Sequence, residues 1–388
     1  MSAERNAPSR NWAPHWSLGA LALVATAATV FAFMTATRAA AESYLFALTL
    51  LATLLIGATL SLLIGHATDA GWFVAVRRPL EVVAGCAPAL LGLAIPVVVC
   101  AGAVYPWLSP QTLSQQAARA VRERGPLLSG PLDLVQDAVL LVAVVAVAEF
   151  LIRQGSRAGA EPRRRMVRAS AVLLPIFGLV VSFLAFDALM SLDPEFYSTI
   201  YGAYVLAGAF SGATALQCLV LFMLRRAGNL SALRGAHFHA LGRVLLASVC
   251  VWAYFAYAQF YIVWIADVPA EASYFLTRAT PQWKGVALGL VLTQFAVPFI
   301  ALLSRRLKFS PRALACVASI VLLGHTLDVY WLVVPAFGPN ATPSWTLAPT
   351  CVCVFSLASW VGAWRARRTK LLPEGDPRLS ESLAYQSS

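Results

Sequence analysis

The chain has 388 residues, of which 59% are hydrophobic and only 12% charged, with a formal net charge of +11. Soluble domains carry about 25% charged residues, so this composition excludes an ordinary soluble protein and implies a polytopic membrane protein. The basic residues are scattered over short connections, which sets nucleic acid aside as a partner and points to anionic lipid.

Apolar runs long enough to cross about 30 Å of hydrocarbon as helices occur at 16–37, 43–65, 81–104, 132–152 and 169–190, then at 199–224, 241–265, 284–304, 311–334 and 345–364. They are continuous and lack the alternating pattern of outer-membrane strands. The predicted fold is therefore all-α and integral to the membrane, with about ten transmembrane helices. A polar N-terminal tail covers 1–15, the membrane domain 16–364, and a C-terminal tail 365–388. That last segment is rich in Ser, Pro and charge and reads as disordered. The first run begins after a charged start and ends near the small residues Ala39, Ala40 and Ala41, which would suit a cleaved signal peptide. Its length exceeds a typical signal-peptide core and favours a retained helix.

With both termini cytoplasmic, 23 of the 29 basic residues fall on the cytoplasmic side, and only Arg38, Arg119, Arg122, Arg124, Arg278 and Lys284 fall outside. The positive-inside rule then predicts a bacterial inner-membrane protein with cytoplasmic termini. The longest connection, 105–130, is external and contains QTLSQQAARAVRER, which reads as a short surface helix, either docking a partner or simply solvated. The seven cysteines include no CxxC and read as packing residues. Of the five histidines, His66 and His325 lie at membrane helices near opposite faces. That placement argues against a bis-histidine haem, and the chain is expected to bind no metal or redox cofactor of its own.

Acids and histidines inside apolar runs cost about 2.5–3.5 kcal/mol each at a helix centre when ionised. Asp187 and Asp328 come late in helices running outward, and His325 is one turn before Asp328. Asp133 and Asp137 open the fourth helix on that side, while His66, Asp69, Glu81 and Glu149 approach from the cytoplasmic side. Two polar clusters separated by an apolar middle suit two proton half-channels. Asp69, Glu81 and Asp133 also suit ordinary helix-end solvation, and Glu149 can pair with Arg153. Asp187, His325 and Asp328 are expected to lie deeper and to form one cluster. In WAYFAYAQFYIVW, Tyr254, Tyr257 and Tyr261 fall near one face with Gln259 beside them, either as packing residues or as a quinone lining.

Four ordered blocks, FDALMSLDPEFYSTIYGAYVLAG (186–208), WAYFAYAQFYIVWIADVPAE (252–271), LLSRR (302–306) and HTLDVYWLVVP (325–335), resemble the F subunit of bacterial alternative complex III. GWFVAVRRPLE (71–81) is a weaker echo. Membership of this NrfD-like (polysulfide-reductase anchor) superfamily would imply two four-helix bundles, spans two to five and six to nine, flanked by single helices. It would also imply a place in a quinol-oxidising assembly that passes electrons to cytochrome c or directly to a terminal oxidase. The expected partners are an iron–sulfur subunit, c-type cytochrome subunits and a sister NrfD-like subunit that binds quinol. The F subunit would contribute assembly and proton translocation, with Asp187, His325 and Asp328 matching family positions. Ala188 stands where tryptophan is usual and Glu195 where histidine is common, which weakens a quinone contact at that loop. A quinone-binding catalytic subunit of the same complex is the second reading. A secondary transporter is the third, and it requires paired broken helices and an inverted repeat; GHATD (65–69) and GHTLD (324–328) share only one five-residue spacing.

Overall fold

The computed structural model describes residues 15–109, 111, 113–123, 131–155, 160–338 and 341–387, which form helices with no strand among them. Among the described residues ten helices are long and apolar enough to cross a membrane, and the chain is an all-α integral membrane protein. Helix α1 is His15–Thr35, and after a single residue α2 runs Thr37–Ala67. The third span is α3 (Phe73–Ala84), α4 (Ala89–Leu93), α5 (Ile95–Val99) and α6 (Ala101–Val104). Helix α7 is Gln115–Glu123, where a short surface helix is expected, and the rest of that connection, 124–130, lies outside the described residues. Then come α8 (Pro131–Gly155), α9 (Ala160–Ala188), α10 (Tyr201–Arg226) and α11 (Gly235–Ala266). They are followed by α12 (Pro269–Thr277), α13 (Pro281–Leu290), α14 (Val297–Leu303) and α15 (Arg305–Phe309). Last are α16 (Pro311–Val333), α17 (Leu347–Ala366) and the short α18 (Leu379–Leu383).

Several helices begin before their apolar runs do. The α9 helix starts nine residues ahead of the predicted 169 because Arg163, Arg164, Arg165 and Arg168 continue it past the hydrocarbon; hydropathy marks the apolar core, not the helix end. The third span starts at Phe73, so Glu81 sits two turns inside α3 rather than at a helix start. Beyond Ala84 that span is broken. Pro88 and Pro96 lack the backbone donor, and the amides of Cys86, Ala87, Ala89 and Leu90 bond three residues back, to Val83, Ala84, Cys86 and Ala87. A π-helical turn at 291–296 joins α13 to α14. Pro298 follows it, and a proline ring clashes with the carbonyl four residues earlier, here that of Gln294, so widening the helix relieves the conflict.

Helices α2, α3–α6, α8 and α9 form one four-helix bundle, and α10, α11, α13–α14 and α16 a second. The two bundles meet chiefly where α2 lies along α10. The approach is close: a Cβ on Gly57 would stand 1.9 Å from the Ala209 carbonyl oxygen. Small residues permit such backbone contact, and α2, buried over most of its length, is accordingly apolar all round. The flanking helices α1 and α17 are not isolated: they pack on each other, and α17 also packs on α2.

The C-terminal segment is ordered, contrary to its composition. It folds back as a strap over the face that holds the 67–72 turn and the 227–234 loop, here called the basic face. Ser382 is buried, accepts a hydrogen bond from Ala75 N at 3.0 Å and donates to the Trp72 carbonyl at 3.2 Å. His237 Nε2 meets Ser382 O at 2.9 Å, and Tyr385 OH accepts from Arg243 Nη2 at 3.1 Å. The strap thus touches α3 of the first bundle and α11 of the second, contacts that a composition-based reading cannot anticipate.

Candidate functional site

Helix α16 is started by Pro311 and by Ser310, whose side chain accepts from Ala313 N. At its far end Arg278, buried with its guanidinium 3.4 Å from the Tyr274 ring centre, donates to the Trp331 carbonyl at 3.2 Å and satisfies one terminal acceptor. Between these anchors His325 and Asp328 share one face, each 1% exposed. At 1.5 Å per residue, Asp328 is about 8 Å and His325 about 12 Å inside the helix end.

Two neutral donors hold the Asp328 carboxyl: the Tyr204 hydroxyl of α10 on Oδ1, and Trp252 Nε1 of α11 on Oδ2 at 3.0 Å. The other bundle supplies the partner of His325, whose Nε2 lies 2.9 Å from Thr53 Oγ1 of α2. His325 Nδ1 is buried without a hydrogen-bond partner. Glycines make room for the pair: a Cβ on Gly212 would stand 2.5 Å from the imidazole, and one on Gly208 would stand 2.8 Å from Asp328 Oδ2. Nearby, Gln294 of the π turn is fully buried, reaches Ser211 Oγ at 3.4 Å and leaves its Oε1 without a partner.

Asp187 does not join this pair. It is the penultimate residue of α9, not deep in the helix, and accepts from Gln136 Nε2 of α8. With Asp137, whose Oδ1 is buried without a partner, it belongs to the first bundle. Asp137 lines a largely apolar cavity of about 350 Å³ bounded by α2, the broken third span, α8 and α9. Thr49 and Thr53 also stand in its wall, so Thr53 lies between the cavity and His325. Asp133, buried in the first turn of α8, lies on the same side.

On the basic face the sequence-marked acids sit against arginine. Glu81 meets Arg78 Nη1 at 2.8 Å and Arg77 Nε at 3.7 Å. Glu149 meets Arg365 at 2.6 Å as well as Arg153 at 3.6 Å. Asp69, in a left-handed backbone conformation at φ 50°, is bonded by Arg163 and by Arg378 of the strap. The Arg163 guanidinium, joined by Arg378, holds the Asp69 carboxyl below the usual carboxylate range. Arg77 also reaches Asp376 of the strap at 3.0 Å. His66 stands among these groups beside a cavity of about 60 Å³, with Nε2 buried and unpartnered.

The tyrosines of α11 part from Gln259. Tyr254 and Tyr257 are 66% and 64% exposed and Tyr261 is 39% exposed, whereas Gln259 is 5% exposed. Five residues at 100° each put Gln259 well round the helix from Tyr254, so the four cannot line one pocket. His237 and His239 also lie in a membrane helix, in the first turns of α11, and Cys316 faces outward rather than into a packed core.

Thr53, Tyr204, Trp252 and Gln294 were not singled out in the sequence. One signal marks their place: Gly208 and Gly212 are spaced four apart on α10, the small-residue pattern that lets helices approach closely, and both abut the His325–Asp328 pair. Fold and site define a ten-span membrane protein with a buried acid–histidine pair at the junction of two four-helix bundles. No protein-family model matches the chain, and no curated protein matches it.

Proposed function

We propose that this chain is a membrane subunit, without a redox centre of its own, of a quinol-oxidising electron-transfer complex of the alternative complex III type. In that assembly it contributes structure and moves protons, with both termini cytoplasmic in a bacterial inner membrane. The four sequence blocks support the family, and iron–sulfur, c-type cytochrome and quinol-binding NrfD-like subunits are its partners. The observation that carries the proton role is Asp328, deeply buried yet held, among the described residues, by the neutral donors Tyr204 and Trp252, with a histidine one turn away. Ionisable groups kept inside a membrane without a counter-charge mark ion pathways.

The test is Asp328→Asn, which keeps shape and hydrogen-bonding capacity and removes the titration. In proteoliposomes of the purified complex, acceptor reduction is expected to persist while protons moved per electron fall. An unchanged ratio would leave the chain as a scaffold. Copurification with haem-c and iron–sulfur subunits tests the assembly, and labelling of Ser231→Cys from the outside of intact cells would reverse the orientation.

A quinone-binding role is the second reading, favoured by the Asp137 cavity, whose volume lies within the 300–1,000 Å³ of ligand pockets. The exposed tyrosines of α11 take no part in it. The transporter reading requires paired broken helices, yet α11, the counterpart of the broken third span in the second bundle, is an unbroken 32-residue helix.

A further inference from the structure

The two nitrogens of His325 have different surroundings. Nε2 faces Thr53 Oγ1 at 2.9 Å. The same hydroxyl lies 2.9 Å from the Thr49 carbonyl and 3.1 Å from that of Leu50, acceptors within its own helix. A threonine has one hydrogen to donate and two lone pairs. With the hydrogen committed to the α2 backbone, a lone pair is left for the imidazole. Nδ1 has no partner, and a buried donor without an acceptor is rarer than an acceptor left bare. Both arguments place the ring hydrogen on Nε2 and leave Nδ1 as an open base.

That base has a counterpart. The space left by the missing side chain of Gly208 is bounded on one side by Asp328 Oδ2, 2.8 Å from where a Cβ would stand. His325 Nδ1 bounds the other side, 3.7 Å from the same point. Thr53 comes from the first bundle, whereas Gly208, His325 and Asp328 belong to the second, so the contact that orients the ring crosses the junction where α2 packs on α10.

We infer that Thr53 is the positioning residue of the His325–Asp328 pair: it holds the imidazole with Nε2–H donated across the bundle junction, so that Nδ1 exchanges a proton with Asp328 across the Gly208 recess. The inference rests on the proton-moving reading and extends it. In the transfer a neutral carboxyl and a neutral imidazole become a carboxylate and an imidazolium. The O–H bond of Asp328 breaks and the Nδ1–H bond forms, while Nε2–H stays on Thr53 throughout. The step conserves atoms and charge; because Nδ1 has no partner within hydrogen-bond distance, it proceeds when a side-chain movement or one water closes the recess, and a relative shift of the bundles that lengthens the Thr53 contact would misalign the pair.

The His325 signal is read as the difference between ¹⁵N spectra of the intact, histidine-labelled complex with this chain unaltered and with His325→Gln, which removes one of the five histidines of this chain. In the unaltered protein His325 is expected as the Nε2–H tautomer. Thr53→Val, which removes the hydroxyl and keeps the branch, is expected to abolish the single-tautomer signature and to lower protons moved per electron to the Asp328→Asn level. Thr53→Ser is expected to restore both. Gly208→Ala, which fills the recess, is expected to keep the tautomer and lose the proton ratio. An Nδ1–H tautomer in the unaltered protein, a Thr53→Val tautomer unchanged from it, or a failure of serine to restore it would overturn the inference. The tautomer signal is independent of transport: should Asp328→Asn leave the proton ratio intact, the proton-moving reading fails while the spectra still decide the role of Thr53.

Discussion

Glu81 and Asp328 are both almost fully buried carboxylates in membrane helices, yet their company differs. Glu81 lies between Arg77 and Arg78, whereas Asp328 meets a phenol and an indole. Asp69, Glu149 and Asp376 follow the first pattern, each on arginine. A guanidinium remains charged at any ordinary pH and gives the acid beside it a counter-charge, which ties the helices of the basic face together. Neutral donors satisfy a carboxyl without fixing its protonation state. Two acids that hydropathy marks alike are therefore held in opposite ways, by charge at the basic face and by neutral donors at the bundle junction.

The comparison predicts that stability and function part company. Glu81→Ala strands the largely buried Arg78 guanidinium and leaves Arg77 to Asp376, and is expected to cost about 3–5 kcal/mol, the range for breaking a buried pair. Thermal unfolding of the detergent-solubilised complex should show it as a large drop in Tm, and a loss similar to that of Asp328→Asn would erase the distinction. Gly212→Ala pushes a methyl group into the His325 ring and is expected to cost about 1–3 kcal/mol by overpacking, together with a fall in protons moved per electron. Asp328→Asn, which keeps the bonding partners, should cost less than about 1.5 kcal/mol while changing the proton ratio most.

The strap supplies a pH-dependent version of the same contrast. Because Arg163, joined by Arg378, holds the Asp69 pKa below its ordinary value, that contact is complete above the ordinary aspartate value of about 3.9. It is lost only as pH falls through the lower native value. Hydrogen exchange at 376–383 should therefore stay slow from pH 7 to about pH 4 and quicken below it; quickening already between pH 6 and 5 would assign control to His237 or His239. The smallest effect is expected from Arg153→Ala. Its side chain is 80% exposed and 3.6 Å from Glu149, so removing it should shift stability by less than about 1 kcal/mol.

Much of the fold was legible because its signals are local. Each span is an apolar run, and the hydrocarbon leaves helices as the form such runs take. The short surface helix α7 was legible too, whereas 81–104 read as one continuous run and the break that Pro88 and Pro96 cause was seen only in the structure. The site was legible only in part. His325 and Asp328 were paired correctly because three residues on a helix share a face. Asp187 was joined to them by analogy of depth, and the structure gives it to the neighbouring bundle because α9 ends one residue after it. The aromatic run of α11 misled for a similar reason: Tyr254, Tyr257 and Tyr261 do share a face, but sequence does not say which face turns outward.

By itself the sequence determined that this chain spans the membrane, roughly where, and which acids and histidines had to be accounted for, because burial in hydrocarbon penalises charge residue by residue. Only the tertiary structure decided which of those groups are neutralised and which remain open. Arg365 finds Glu149, Arg378 finds Asp69 and Thr53 finds His325 across 216, 309 and 272 positions of chain. Partners that far apart are chosen by helix packing, above all by the close approach of α2 and α10 that Gly57 allows. No periodicity within either segment encodes that choice.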